Sequence, residues 1–442
     1  MATAGPAGPG DIDRKDLLRV SGASALVALP ISLVAFGFLG LVDLVQRWVW
    51  ETAPAELGFD TAPWWWPIPW LLVAGLLVSS AIVLLPGRGG HVPANGTGAG
   101  ITPPSSVPGV FLAALAGLPL GVVLGPEAPL IAMGTGLAVW LSRLARLSPH
   151  GRLEALIGTA GAAAAISIVL GDPLTAVIFL AEAVAIAGGP VIAATIPALL
   201  GVGVGALMFS GLGDTPGVRA QSLQLVELAS VPAPGIGDLL WAVPVGVVAA
   251  AVMTVVFTAG RRVADRLDPM RPGRLVVATM TVGVGVALCA SAYALITGRS
   301  AVDVASSGTA TLEAITSDTT AWGTGALVAL IGFKGLAYAL SLGAFRGGPI
   351  FPSIMLGGAL GVLIAPLPGL GVAGGLAVGM AAFAAAGMRM PLSSVALTLL
   401  LFGPNATEVF PEVAIAAVTA FAVRVALDRR KAATETETVR PE

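Results

Sequence analysis

The 442 residues include one cysteine, two histidines and two tyrosines, and only 11% of them are charged. A lone Cys289 builds no disulfide framework within one chain, and His91 with His150 makes no metal cluster, so no metal or other cofactor is expected. Net charge is -2, without the basic excess that nucleic acid attracts. No Ser/His/Asp set and no nucleotide-binding loop after a soluble strand is found, so the chain does not read as an enzyme. Met1 to Arg19 starts without an apolar run and reads as a cytoplasmic tail, not a cleaved signal.

What the chain has instead is 56% hydrophobic residues, 58 glycines and 33 prolines. An ordinary soluble domain is about 25% charged, so this composition predicts an all-α polytopic membrane protein. Apolar spans run at approximately 20–46, 66–85, 108–123, 126–142, 153–170, 174–187, 189–212, 239–260, 275–297, 322–341, 350–366, 370–388, 391–403 and 410–426. Several fall short of the roughly 20 helical residues that a bilayer requires. Short apolar helices joined by Gly/Pro turns predict tilted and broken segments buried in protein, which transporters use to aim helix ends at a midplane site. The expected organisation is a tail at 1–19, a transmembrane domain at 20–426 whose halves cover about 20–212 and 239–426, and a short polar tail at 427–442.

Basic residues favour cytoplasmic loops. Arg14, Lys15, Arg19, Arg88, Arg143, Arg146, Arg152, the cluster Arg261 to Arg274, and Arg424, Arg429, Arg430 and Lys431 are therefore placed inside. The connections at 47–65, 213–238 and 298–321 carry Glu51, Glu56, Asp60, Asp214, Glu227, Asp303, Glu313 and Asp318 and are placed outside. Both termini are then cytoplasmic. Trp48, Trp50, Trp64, Trp65, Trp66 and Trp70 crowd the first external connection, as an interfacial aromatic belt would.

Within L-G-P-E-A-P-L-I-A-M-G-T-G-L, Leu124 to Leu137, one carboxylate stands between two prolines in an apolar run. A charge at membrane depth costs a few kcal/mol or more, so Glu127 is expected to face protein or water and to mark an ion or proton path. Proline suits the first turn of a helix, which puts Glu127 at a helix start whose free amides attract anions. Glu127 is itself an anion and would compete with a permeating one.

The stretch also repeats. G-P-E-A-P-L-I-A-M-G-T-G-L from Gly125 aligns with G-P-I-F-P-S-I-M-L-G-G-A-L from Gly348 at an offset of 223 residues. G-D-P-L-T-A-V-I-F-L from Gly171 is similar to R-M-P-L-S-S-V-A-L-T-L from Arg389 at an offset of 218. Two matches in the same order predict two related halves with a site where their broken helices converge. Ile350 stands where Glu127 stands, so only one half carries an acid.

Four stretches resemble the CLC family of chloride channels and chloride/proton antiporters, over roughly residues 75 to 426. V-L-G-P-E-A-P resembles its G-R-E-G-P, which puts Glu127 on the external gating glutamate. G-R-G-G-H-V-P, Gly87 to Pro93, resembles G-S-G-I-P, whose serine contacts the central anion. G-A-F-R-G-G-P-I-F-P, Gly343 to Pro352, resembles the G-x-F-x-P region, whose amides complete that site. The Ala-rich runs leading into G-D-P-L-T and R-M-P-L-S resemble a further pair of segments. The resemblance implies an inverted repeat of two halves, one pore per subunit, a homodimer and a bacterial plasma membrane; the short polar tail after Lys431 is expected to bring no regulatory domain. It also implies anion contacts at Gly125, Ala128, Gly90, His91, Gly348, Ile350 and Phe351, with chloride or another small anion, and protons in the antiporters, as the transported partners.

The departures bear on mechanism. Gly90 stands where the family has its serine, Pro349 where an amide would face the anion, and neither Tyr293 nor Tyr338 occupies the place of the C-terminal tyrosine. Ala183 stands where antiporters carry an internal glutamate. Its neighbour Glu182 is either structural or a substitute in the relay. His91 either donates to an anion or packs in its loop. Asp172 reads as a helix cap; Lys334 either pairs with an acid or raises the pore's positive potential. Arg346 and Arg389 attract anions or merely orient the chain. The expectation is channel-like or weakly proton-coupled anion transport. Stoichiometric chloride or fluoride exchange against protons is the alternative, and a transport-deficient sensory or structural component is an alternative of another class.

Overall fold

A computed structural model of the protein describes residues 14–96, 98, 100–147, 151–188, 191–212 and 235–438. Asp214, Glu227 and His150 lie outside the described residues, as do the first 13 residues, the last four and the side chains of Arg14 and Arg152. The helices in chain order are α1 (Arg14–Arg47), α2 (Ala53–Glu56), α3 (Pro67–Leu84), α4 (Val107–Gly117), α5 (Glu127–Leu144), α6 (Arg152–Leu170), α7 (Pro173–Ile186) and α8 (Val191–Leu212). After them come α9 (Ile236–Leu267), α10 (Pro272–Thr297), α11 (Thr309–Ser317), α12 (Thr324–Ala344), α13 (Ile350–Ile364), α14 (Gly371–Met388), α15 (Pro391–Phe402) and α16 (Ala406–Thr438). Nine segments among the described residues are long and apolar enough to cross a bilayer. The protein is a multi-pass integral membrane protein. Helices form on all fourteen expected spans, because membrane-buried backbone must satisfy its own hydrogen bonds.

The two halves meet in a reciprocal pair. Gly125 N–H donates to the Gly348 carbonyl at 2.8 Å and Gly348 N–H donates to the Gly125 carbonyl at 2.6 Å, an antiparallel bridge. An antiparallel pair maps one strand on the other by a half-turn, so α5 and α13, which start two residues later, leave in opposite directions. The same correspondence continues in the packing. A side chain on Gly134 would overlap the Gly161 carbonyl, and one on Gly357 would overlap the Gly379 carbonyl. Gly357 is 223 residues after Gly134 and Gly379 is 218 after Gly161, the two offsets of the sequence repeat. Each broken helix is thus held at backbone contact distance by its partner, α5 by α6 and α13 by α14. At the α6 and α14 ends, Gly171 and Arg389 both turn left-handed, at φ 66° and 60°. A non-glycine residue in that conformation at the repeat-equivalent place reflects the architecture imposed on it.

Three expectations need correction. The connection at 298–321 is not merely a loop: it contains α11, with Thr311, Leu312, Ile315 and Thr316 buried. The tryptophan belt is only partial. Trp48, Trp64 and Trp65 are exposed, whereas Trp50 and Trp66 are buried and donate their indole N–H to Pro119 O at 2.9 Å and Val49 O at 2.8 Å. A buried indole needs such an acceptor, and the helical continuation through 48–56 supplies the packing. Arg424, counted among basic residues of a cytoplasmic border, is wholly buried inside α16.

Candidate functional site

Pro126 and Pro349 are the residues that immediately precede α5 and α13, with φ of -82° and -90°. Proline has no N–H to leave unpaired there, and its fixed φ suits the turn. Each proline thus stands one residue ahead of the helix, so Glu127 and Ile350 are the first helical residues. The Glu127 side chain is 1% exposed and crosses to the other half, where its Oε1 accepts from Ile350 N–H at 2.5 Å. The amides of Glu127 and Phe351 also lie within electrostatic reach of the carboxylate. Its Oε2 is buried with no hydrogen-bond partner among the described residues. The carboxyl group therefore sits at the start of α13, where the macrodipole and unpaired amides favour negative charge.

Gly125 and Gly348 allow this. A methyl on either would overlap the Glu127 carboxyl group. Ala128, Ile350 and Phe351 are all buried around it. On one side of Phe351 lies a cavity of about 90 Å³ lined also by Pro126, Leu124, Asp43, Ser307 and Thr309.

Tyr338 is the residue that sequence reading missed. It is fully buried on α12, and its hydroxyl donates to Pro349 O at 2.8 Å and lies 3.2 Å from Ser353 Oγ. The family resemblance places a tyrosine near the C-terminus, yet this phenol reaches the residue before α13 from α12. The only signal was the scarcity of tyrosine in the chain.

Gly90 and His91 sit elsewhere, in the loop after α3. Gly90 adopts φ 99° and, with Arg88, Asp268 and Arg346, lines a separate cavity of about 470 Å³. Arg346 is buried there and donates to Arg88 O at 3.2 Å and Phe345 O at 3.0 Å, tying this loop to the connection before α13. His91 Nε2 lies 3.1 Å from Gly96 O, so that nitrogen carries the proton. Desolvation of the ring in the loop holds its pKa below the usual histidine value, against the Gly96 hydrogen bond, which raises it.

Glu182 caps α15. Its Oε2 accepts from Ser393 N–H at 2.7 Å and Ser393 Oγ at 2.6 Å, and its Oε1 from Leu392 N–H at 3.1 Å. Asp172 caps α7 through Thr175 N–H at 2.6 Å, as its place before Pro173 predicts. Lys334 is fully buried and forms no direct ion pair among the described residues. Its Nζ lies 3.0–3.3 Å from the carbonyls of Asp303, Val304, Ala305 and Ser306, closing the turn before α11. Arg389 is half-exposed and pairs with Asp428 at 2.9 Å.

The sequence profile of the family described as voltage gated chloride channel matches residues 91–424. Among curated proteins, the chain is 30% identical over 176 residues to YfeO of Salmonella paratyphi A, a protein named for ion transport, covering 38% of this chain and 40% of that one. YfeO of Escherichia coli O127:H6 is 32% identical over 166 residues, 34% of this chain and 39% of that one. These alignments span only about two fifths of the relatives' length. A slow cyanobacterial Cl-/H+ antiporter of known structure superimposes with TM-score 0.74 at 17% identity, over 95% of this chain and 99% of that chain. A CLC-type fluoride/proton antiporter superimposes with TM-score 0.72 at 17% identity, over 94% and 97%. At such identities the superpositions speak for the fold.

Proposed function

The chain belongs to the voltage gated chloride channel family, and from that premise we propose that it passes small inorganic anions, chloride foremost, through a site gated by Glu127. The observation that carries the reading is the Glu127 carboxylate seated on the Ile350 amide. A helix start that holds a carboxylate offers an inorganic anion the same donors without a fixed full charge, so binding stays weak enough for release. When ionised, Glu127 blocks the place; when protonated or displaced, it yields it. The membrane is a bacterial plasma membrane with both termini cytoplasmic, and the assembly is a homodimer, which crosslinking in membranes tests.

Transport is channel-like or weakly proton-coupled. Ala183 is buried and carries no proton, and all the hydrogen bonds of Glu182 described above go to the start of α15, which favours uncoupled movement over exchange. Chloride efflux from liposomes bearing the wild type, Glu127→Gln and Glu127→Ala tests the gate. Both substitutions should raise flux and flatten its pH dependence; no response in either property refutes the assignment of Glu127. An anion gradient that drives protons uphill in the same liposomes would restore the antiporter reading.

A further inference from the structure

The side chain of Arg424 is wholly buried in α16, and its Nη1 and Nη2 have no hydrogen-bond partner among the described residues. Its Nε reaches Asp428 Oδ2 at 3.2 Å, but Arg389 Nη2 lies 2.9 Å from the same oxygen. Two cations therefore share one carboxylate. Two more cationic side chains stand beside them: Arg261 Nη2 and Lys431 Nζ both reach Thr258 Oγ1, at 3.3 Å and 3.1 Å. The local charge is positive, and the two buried guanidinium nitrogens want acceptors. Buried donors without acceptors are costly, more so when charged, so a guanidinium left in this state is explained if a ligand supplies the acceptor.

The neighbours indicate which ligand. The guanidinium carbon lies 5.2 Å from the Phe257 ring centroid. Phe257 meets Tyr338 edge-on at 6.1 Å, and the Tyr338 hydroxyl is bonded to Pro349 at the start of α13. The Tyr338 phenol is within Coulombic reach of both Glu127 and Arg424. The Phe257–Tyr338 pair thus packs between the Arg424 guanidinium and the residue before α13. On the other side the half-exposed Arg389 and the partly exposed Asp428 lead to water.

We propose that Arg424 binds a small monovalent inorganic anion through Nη1 and Nη2, forming a second site in the conduction path beside Phe257 and Tyr338. This deepens the anion-transport reading and rests on it. The site supplies a charged donor pair in a chain where Gly90 brings no hydroxyl and Pro349 brings no amide. A guanidinium fork also suits planar oxyanions such as nitrate.

Bromide is the probe. In crystals of the full-length wild type soaked in bromide, an anomalous peak should lie within hydrogen-bond distance of Arg424 Nη1 or Nη2. In detergent, titration calorimetry should show that Arg424→Met weakens bromide binding about tenfold or more, as loss of a hydrogen bond to a charged group implies. Arg424→Lys, a point charge without the fork, should fall between. Wild type that passes chloride but shows bromide peaks only elsewhere, or whose affinity and flux survive Arg424→Met, overturns the Arg424 site and leaves the transport reading standing. Wild type that neither binds bromide nor passes chloride overturns both. The wild-type crystal needs no variant to fold, so the site is decided even where Arg424→Met does not.

Discussion

Gly348→Ala should open the gate without touching the gating residue. The added methyl would overlap Cδ, Cγ and Oε1 of Glu127, and these atoms end a flexible side chain, so the carboxyl group yields before the backbone does. Leaving its seat, Glu127 loses the bond from Ile350 N–H at 2.5 Å. A hydrogen bond to a charged group contributes about 1.5–3 kcal/mol, so occupancy of the blocking position falls roughly ten- to a hundredfold. Chloride efflux from liposomes at a pH where the wild type is slow should rise accordingly. The same substitution in a Glu127→Gln background should add little, because the carboxylate it displaces is already gone. Gly357→Ala is the contrasting control. Its methyl meets the Gly379 backbone, which cannot swing aside, so this variant should lose stability instead of gaining flux. Were Gly348→Ala to slow efflux equally in the wild-type and Glu127→Gln backgrounds, the methyl would be obstructing the anion itself, and the account of Glu127 as the movable occupant would fail.

Lys334→Met should lower thermal stability in detergent by about 3 kcal/mol or more, since four carbonyls at 3.0–3.3 Å lose a shared buried donor; an unchanged melting point would show that water replaces the amine. Glu182→Ala should cost about 1–2 kcal/mol, as loss of a helix cap does, while chloride flux persists. Loss of proton coupling in a folded Glu182→Gln protein would instead make Glu182 a relay. For His91, the folded pKa is lowered by burial, so the unfolded chain binds the proton more readily. Its stabilising contribution is complete above the usual histidine value of about 6.5 and is lost as pH falls below it. Melting curves of the wild type and His91→Gln should therefore run parallel above about pH 6.5 and converge below, with flux alike in both.

Much of the architecture can be read from the residues alone. Apolar length and Gly/Pro punctuation located the helices, because a chain in lipid has few other ways to satisfy its backbone. The repeat offsets of 223 and 218 recur in the packing of Gly134 on Gly161 and Gly357 on Gly379, since two related halves place equivalent residues in equivalent contacts. Asp172 was legible as a cap because capping is local: acid, proline and first turn are consecutive. The importance of Glu127 was legible too, because a carboxylate in an apolar run is costly wherever it lies.

What no local pattern carries is who meets whom across the chain. The reciprocal bond between Gly125 and Gly348, the reach of Glu127 to the Ile350 amide, and the capping of the α15 start by Glu182 each join residues more than 200 positions apart. Tyr338 and Arg424 were weighed by position in the sequence, one as too early and one as a border charge. Only the packing of α9, α12 and α16 puts Tyr338 on the residue before α13 and Arg424 behind it, across the Phe257 ring. The sequence alone determined that an anion-like charge is buried in a two-fold helical protein, because composition and repeat are properties of the chain. The tertiary structure decided which amides meet that carboxyl group and that two guanidinium nitrogens of Arg424 are buried without an acceptor among the described residues, because such partners are set by helix crossings and not by spacing.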